Sequence, residues 1–311
     1  MPDPIDAFIA EQRLYELVER HPAFKGFRVE KILKTGPDQL TARAKFQGKR
    51  VVIKRSLLSE SERRVLEAKQ ELDILAKVMS APPYRVNECV AAFPDLGLIV
   101  LSFVPGIRLD KAIKQASHQE RHDLMKLSGG WLRTYTLGRV ERGHHFSPGW
   151  WIKKTAGHRK ENLSENDLSL FNRVLAHLRR LAPDLRGQSL AKAAIHADFV
   201  SINAHFADGC LYGYDIQGRA HLPIAQDVAR FLVWTQVQTP ALDDQTGFIH
   251  GISRSDVEAF LSSGVLPAEE YETILPFFIG LHVLRTIGSL RQNSQALEEV
   301  TQLAHRFIKG C

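Results

Sequence analysis

The sequence predicts an α+β chain of two lobes, a small strand-rich first third followed by a larger, mostly helical remainder. Three observations predict it. Three extended segments follow one another between residues 27 and 55, separated by turn residues. After Val104-Pro105-Gly106 helical periodicity dominates. The 311 residues, 35.1 kDa, exceed one typical domain, so the expected division is an N-terminal lobe over residues 1–103 and a C-terminal lobe over 104–311.

The elements follow in order. Ile5, Phe8, Ile9, Leu14, Leu17 and Val18 recur at helical spacing after Pro4, predicting an opening amphipathic helix. Phe27–Leu33, Gln39–Phe46 and Arg50–Arg55 read as strands, and Gly36-Pro37-Asp38 and Gln47-Gly48 as the turns of an antiparallel meander. Ser59-Glu60-Ser61-Glu62 reads as a capping box that opens a helix running to about Val78. Two more strands, Asn87–Phe93 and Leu98–Phe103, flank the turn Pro94-Asp95-Leu96-Gly97. Beyond Gly106, helices are expected over Arg108–Gln115, from a second capping box at Ser117–Glu120 to about Leu137, and over Asn166–Leu181. The run from Arg142 to Lys154 reads as an irregular insertion. Short strands between Ala191 and Asp215 interrupt the pattern. Helices then resume at Asp227–Val237, Ser255–Leu261, Glu269–Leu290 and Gln295–Ile308.

Composition narrows the class. A hydrophobic fraction of 44% with 24% charged residues excludes a disordered or fibrous chain. Three scattered cysteines, Cys89, Cys210 and Cys311, indicate neither a disulfide framework nor a zinc site and fit a reducing compartment. The acidic N-terminal stretch has no signal-peptide core, and Ile274–Leu290 is too short and polar to span a bilayer. A soluble cytoplasmic protein is expected. The net charge of +6 is unevenly spread: from Lys111 to Lys192 sixteen basic residues face seven acidic ones, leaving the remainder at about −3. No basic tract of the kind that binds nucleic acid is present, and no nucleic-acid partner is expected.

The densest chemistry lies in Ala193-Ala194-Ile195-His196-Ala197-Asp198-Phe199-Val200-Ser201-Ile202-Asn203, then Leu211-Tyr212-Gly213-Tyr214-Asp215, then Gln226-Asp227. Each piece alone is weak. Their order, His-x-Asp, Asn five residues on and a second Asp after a hairpin, suits phosphoryl transfer. That reaction needs a carboxylate near the acceptor hydroxyl and oxygen ligands for a magnesium ion on the nucleotide phosphates. Earlier, Val51-Val52-Ile53-Lys54 is an apolar strand ending in a lysine, and Glu67 and Glu71 lie on one face of the following helix.

On these motifs the chain, from about Phe27 to the C-terminal helices, resembles the kinase-like phosphotransferases of the aminoglycoside phosphotransferase and choline kinase family. The resemblance implies a bilobal protein-kinase-like fold with a small antiparallel-sheet N-lobe and a helical C-lobe, and ATP and Mg2+ as cofactors. It implies Asp198 as the catalytic base, Asn203 and Asp215 as metal ligands, His196 as the structural histidine of the loop and Asp227 as the carboxylate that braces it. Lys54 then corresponds to the phosphate-binding lysine, with Glu71 preferred over Glu67 as its partner. Gly36 sits in the phosphate-covering loop, and Ser102 and Val104 lie in the hinge that reads the adenine edge. The sequence departs from the pattern in having one glycine in that loop, Ala197 where glycine is usual, and His205 at an ordinarily apolar position.

Only eleven residues separate Asp215 from Asp227, too few for the peptide platform of a protein kinase, so the expected partner is a small-molecule acceptor of sugar type or another polar metabolite. Acidic residues at Asp243, Asp244, Glu269, Glu270 and Glu272 are few for a polycationic antibiotic. Two alternatives stay open: a lipopolysaccharide-core sugar kinase, whose acceptor is anionic, and a pseudokinase-like nucleotide-binding scaffold without catalysis. Trp150, Trp151, Lys153 and Lys154 offer either a sugar-stacking site, a peripheral membrane contact, or an anchor of the loop on the helical core.

Overall fold

The computed structural model describes residues 2–19, 21–157, 163–216, 220–241, 246–287, 289 and 294–310. They form two compact units, one comprising Met1–Gly106 with Tyr212–Arg219, the other Ile107–Leu211 with Ala220–Cys311.

The first unit begins with α1 (Pro4–Val18), capped by Asp3. It buries Ala10, Leu14 and Val18 but leaves Ile5 and Phe8 exposed, so only its second half serves as a core face. The expected meander follows as β1 (Arg28–Thr35), β2 (Gln39–Phe46) and β3 (Lys49–Ser56). Then come α2 (Ser61–Val78), β4 (Tyr84–Val86), β5 (Cys89–Phe93) and β6 (Leu98–Ser102). The main sheet has the order β1-β2-β3-β6-β5 with every pair antiparallel. Its core joins Leu14 and Val18 to Phe24, Val29, Ala42, Ala44, Phe46, Val51, Ile53, Leu98 and Val100. The capping box expected at Ser59–Glu62 is not formed. The N-cap is Glu60, without a side-chain cap bond, because Arg63 takes its carboxylate instead.

The second unit opens with β7 (Ile107–Arg108), α3 (Leu109–Gln115) and α4 (His118–Thr136). Here the capping box does form: the Ser117 hydroxyl accepts from the Glu120 N–H, and the Glu120 carboxylate accepts from the Ser117 N–H. The run read as an irregular insertion is instead β8 (Glu141–His145) and α5 (Pro148–Gly157). The strand carries no apolar alternation. It is held by backbone pairing to β9, His144 opposite Leu190, and Pro148 suits the first turn of the helix after it. Next come α6 (Glu165–Leu185), β9 (Ser189–Ile195), β10 (Ala204–Ala207) and β11 (Cys210–Gly213), in which the chain crosses into the first unit. After it returns, β12 (Ala220–Pro223) pairs with β9 and leads into α7 (Ile224–Gln238). The order β12-β9-β8 makes a three-stranded sheet.

The chain ends with β13 (Phe248–Ile249), β14 (Ile252–Ser253), α8 (Arg254–Leu261), α9 (Ala268–Glu272), α10 (Ile274–Ile287) and α11 (Ser294–Lys309). The single helix expected over Glu269–Leu290 is therefore broken at Thr273. Pro276 is the cause: it lacks an N–H and its ring conflicts with the carbonyl four residues back, at Glu272. Helix α10 is buried from Ile274 to Leu284, with Phe277, Phe278, Ile279, Leu281 and Val283 at 0% exposure, and half-buried at Arg285 and Thr286. Helices α4 and α8 approach so closely that a Cβ on Gly129 would lie 2.1 Å from the Phe260 carbonyl oxygen. The Arg121 guanidinium and Asp256 carboxylate, both buried, join them by bonds of 2.9 and 2.6 Å. No helix of the described residues is long and apolar enough to cross a membrane.

Candidate active site

In the first unit, strand geometry places Lys54. Val51 and Ile53 are buried in the core, so Lys54, one residue on, projects from the opposite face. It shares that face with its direct partners Thr41 on β2 and Ile99 on β6. Its ammonium is ion-paired with Asp215 Oδ1. Asp215 lies just after β11 with φ 69°, a left-handed conformation that costs a residue with a Cβ about 1–2 kcal/mol. A cavity of about 350 Å³ in this unit is lined by Gly36, Pro37 and Asp38 of the β1–β2 turn, by Lys54, Ile99, Leu101 and Asp215, and by Leu72 of α2. The structure thus brings Gly36, Lys54 and Asp215 to one cavity.

Glu71 is completely buried on α2, next to Leu72 and one turn from Leu75, while Glu67 is exposed and paired with Arg63. Burial makes Glu71 the inward carboxylate. Ser102 and Val104 are not among the described residues lining the cavity. The Ser102 N–H donates to the Glu88 carbonyl and its hydroxyl accepts from the Glu88 N–H, each at 2.8 Å; Val104 is buried.

In the second unit the segment from His196 to Asn203 is fixed from below by α7. Asp227, in the first turn of α7 and 0% exposed, accepts at Oδ2 from the backbone N–H groups of His196 (2.8 Å) and Ala197 (3.2 Å). Its Oδ1 is buried with no hydrogen-bond partner, and burial pushes the carboxyl up to about 6 against the opposing effect of His196 and these two bonds. Ala197 has φ 65°; a position that turns left-handed is where glycine carries no penalty. His196 is buried, and its Nδ1 accepts from the Asp198 N–H at 3.3 Å. Its ring lies in an aromatic cluster with Trp131, Tyr135 and Phe199, in which Trp131 and Phe199 stack at 4.9 Å.

Asn203 Nδ2 donates to the Asp198 carbonyl oxygen (2.9 Å) and to Asp198 Oδ2 (3.3 Å). With its nitrogen so committed, the side-chain oxygen is the atom left to a cation. Amide and carboxylate oxygens, as Asn203 and Asp215 supply, are the hard donors that magnesium takes. The other Asp198 oxygen, Oδ1, is ion-paired with Arg230. Sequence reasoning missed Arg230, although it follows Asp227 by three residues, one helical turn along the same face of α7.

Of the acidic residues considered for the acceptor, Asp243 and Asp244 lie outside the described residues. Glu270 is buried, accepts from the Ala191 N–H at 2.8 Å and is pushed up by burial to about 7; Glu269 and Glu272 are exposed. His205 is half-buried in β10 opposite Arg108. Trp151 is buried edge-on to Phe278 at 5.1 Å, whereas Trp150 is 52% exposed under the Lys154 ammonium, 4.8 Å from its ring centre.

No protein-family model matches the chain, and no curated protein matches it in sequence. Solved structures do. A choline/ethanolamine kinase family protein from Mesorhizobium loti superposes with a TM-score of 0.62 at 12% identity, over 96% of this chain and 95% of that one. The aminoglycoside phosphotransferase APH(4)-Ia gives 0.61 at 12% identity, over 97% and 99%. An amicoumacin kinase solved with AMP-PNP, Ca2+ and amicoumacin gives 0.58 at 12% identity, over 96% of both chains. The chain therefore has the α+β, protein-kinase-like fold shared by aminoglycoside phosphotransferases and choline kinase-like proteins, in agreement with the resemblance read from its motifs.

Proposed function

We propose that the protein is an ATP-dependent phosphotransferase that moves the γ-phosphate of ATP to a hydroxyl of a small polar molecule. The observation that carries this reading is the bonding of the 196–203 segment. One buried carboxylate fixes two successive N–H groups, and Asn203 is tied to Asp198. Such rigid placement of a carboxylate and an amide five residues apart is what phosphoryl transfer asks of a protein. Domain roles follow: residues 1–103 bind nucleotide and 104–311 carry the catalytic loop and the acceptor.

Asp198 orients the acceptor hydroxyl and takes its proton. Lys54 and the Gly36 turn hold the nucleotide phosphates, Glu71 supports the lysine, and Ser102 and Val104 offer backbone groups to the base. Asn203 and Asp215 would hold Mg2+, which when bound neutralises charge on the phosphates. Asp227 and His196 keep the loop in place and do not touch the reacting atoms.

The test is acceptor-dependent ADP release by the purified protein with ATP and magnesium. Asp198→Ala should slow it on the order of 10²–10⁴-fold; unchanged turnover would remove Asp198 from the role.

A further inference from the structure

A cavity of the second unit beside Asp198 is lined by cations. A cavity of about 410 Å³ is walled by Trp151, Lys154 and Thr155 of α5, Gln226 and Arg230 of α7, and Arg285 of α10, with Ala197, the neighbour of Asp198, at its edge. Lys154, Arg230 and Arg285 reach it from three different helices, and no described lining residue is a carboxylate.

The charges are only partly neutralised in place. Arg230 is paired with Asp198 through one nitrogen, while its Nε is buried without a partner. Among the described residues Arg285 has no carboxylate partner, and burial followed by the charge of Arg230 pulls its guanidinium below the usual value. Burial, and after it the charges of the same two arginines, holds the adjoining His282 well below the usual histidine range, so it adds no charge near neutral pH. Thr155 Oγ1 and Gln226 Oε1, both on residues that are nine-tenths or more buried, have no hydrogen-bond partner. Half-buried guanidinium groups near one another with donors to spare are costly unless an anion joins them. The volume suits a ligand of monosaccharide size.

Resting on the phosphotransferase reading, we infer that the acceptor is a hydroxyl compound that itself carries an anionic group, a phosphate or a carboxylate, held by Arg285, Arg230 and Lys154 while its free hydroxyl faces Asp198. The unpartnered Thr155 and Gln226 groups meet the polar body of such a molecule. A polycationic aminoglycoside would find three like charges in this cavity. The anion also has a second effect: it competes with Asp198 for Arg230, so arrival of the acceptor frees the carboxylate oxygen that the guanidinium occupies.

The experiment compares binding by calorimetry at low salt, without nucleotide, of inorganic phosphate, glucose, glucose 6-phosphate and glucuronate. The anionic probes should bind about tenfold or more tightly than glucose, and the phosphate and carboxylate arms show which anion is preferred. Arg285→Gln should abolish that advantage and Arg285→Lys restore most of it. Lys154→Gln, at an exposed position that cannot unfold the chain, should weaken it several-fold. Equal binding of neutral and anionic probes, or an anion preference indifferent to both glutamine substitutions, would overturn the inference. Turnover separates it from the reading beneath it. Arg285-dependent anion binding with no ADP release for any acceptor leaves the anion site standing and removes the kinase. ADP release with a neutral or cationic acceptor whose KM ignores Arg285→Gln does the reverse.

Discussion

Asp227→Asn tests the support of the 196–203 loop through stability rather than activity. Burial lifts Asp227 from 3.8 to about 6, a shift of roughly 2 pH units worth about 3 kcal/mol. A carboxyl whose folded value is raised binds its proton more tightly in the folded chain than in the unfolded one. Its contribution is therefore fully present below pH 4, is lost as pH rises through the window from 4 to 6, and stays lost above it. Asparagine has no proton to titrate in this range, and its side-chain oxygen can still accept from the His196 and Ala197 N–H groups. The stability of the wild type minus that of Asp227→Asn should fall by about 3 kcal/mol across the whole window, about 2 kcal/mol of it between pH 4.5 and 7. Urea unfolding at a series of pH values, followed by tryptophan fluorescence, measures it; the buried Trp131 beside the loop reports the transition. Asp227→Ala is the control. It leaves two N–H groups without their acceptor and should cost about 1–3 kcal/mol for each at every pH. A wild-type-minus-asparagine difference that is flat, or that grows with pH, would show that the Asp227 carboxyl is not desolvated as the structure has it.

Three further outcomes follow from local geometry. Ala197→Gly, relieving a left-handed alanine at φ 65°, should raise stability by about 1 kcal/mol, since the strain removed exceeds the extra chain entropy of glycine; chemical denaturation measures it, and a loss would refute the strain. Gly129→Ala puts a methyl 2.1 Å from the Phe260 carbonyl oxygen and should destabilise by about 3 kcal/mol, read as a lowered urea midpoint, because two backbones must part to admit it. Asp215→Ala should reduce the thermal stabilisation given by ATP with magnesium far more than Asp198→Ala does, because a ligand bound only by the folded state raises its stability in step with affinity. Equal reductions would mean that Asp215 does not serve the nucleotide, and no stabilisation of the wild type at all would count against nucleotide binding, and so against both the kinase and the nucleotide-binding scaffold.

Much of the fold was legible because the first unit writes its structure in local signals. Strand alternation and the turns at Gly36-Pro37-Asp38 and Gln47-Gly48 mark β1 to β3 within a residue or two. Local signals failed where backbone pairing alone decides. Strand β8 has the sequence Glu-Arg-Gly-His-His, which no propensity favours, and it exists because β9 offers its edge. The break before α10 was legible in principle, since Pro276 forbids a bonded turn through Glu272; the strong apolar run around it masked the signal. The order of motifs pointed to Asp198, Asn203 and Asp227, but the cationic cavity could not be read from charge counting. The basic excess falls between Lys111 and Lys192, yet of the three cavity cations only Lys154 belongs to that stretch. Arg230 and Arg285 come from helices whose neighbours are apolar, and only tertiary packing brings them to one wall.

Helix α7 links these observations. Asp227 and Arg230, one turn apart, act on the same loop by different means: the carboxylate holds its backbone at His196 and Ala197, and the guanidinium holds the Asp198 side chain. Position and direction of Asp198 are thus set separately. The backbone anchor is fully buried and out of reach of any ligand, whereas Arg230 is half-buried and lines the cationic cavity. A molecule in that cavity can redirect the Asp198 carboxylate without disturbing the loop that carries it. In the proposed phosphotransferase this arrangement would let the site recognise its acceptor through the residue that restrains the proposed base, while the loop on which Asn203 sits stays fixed.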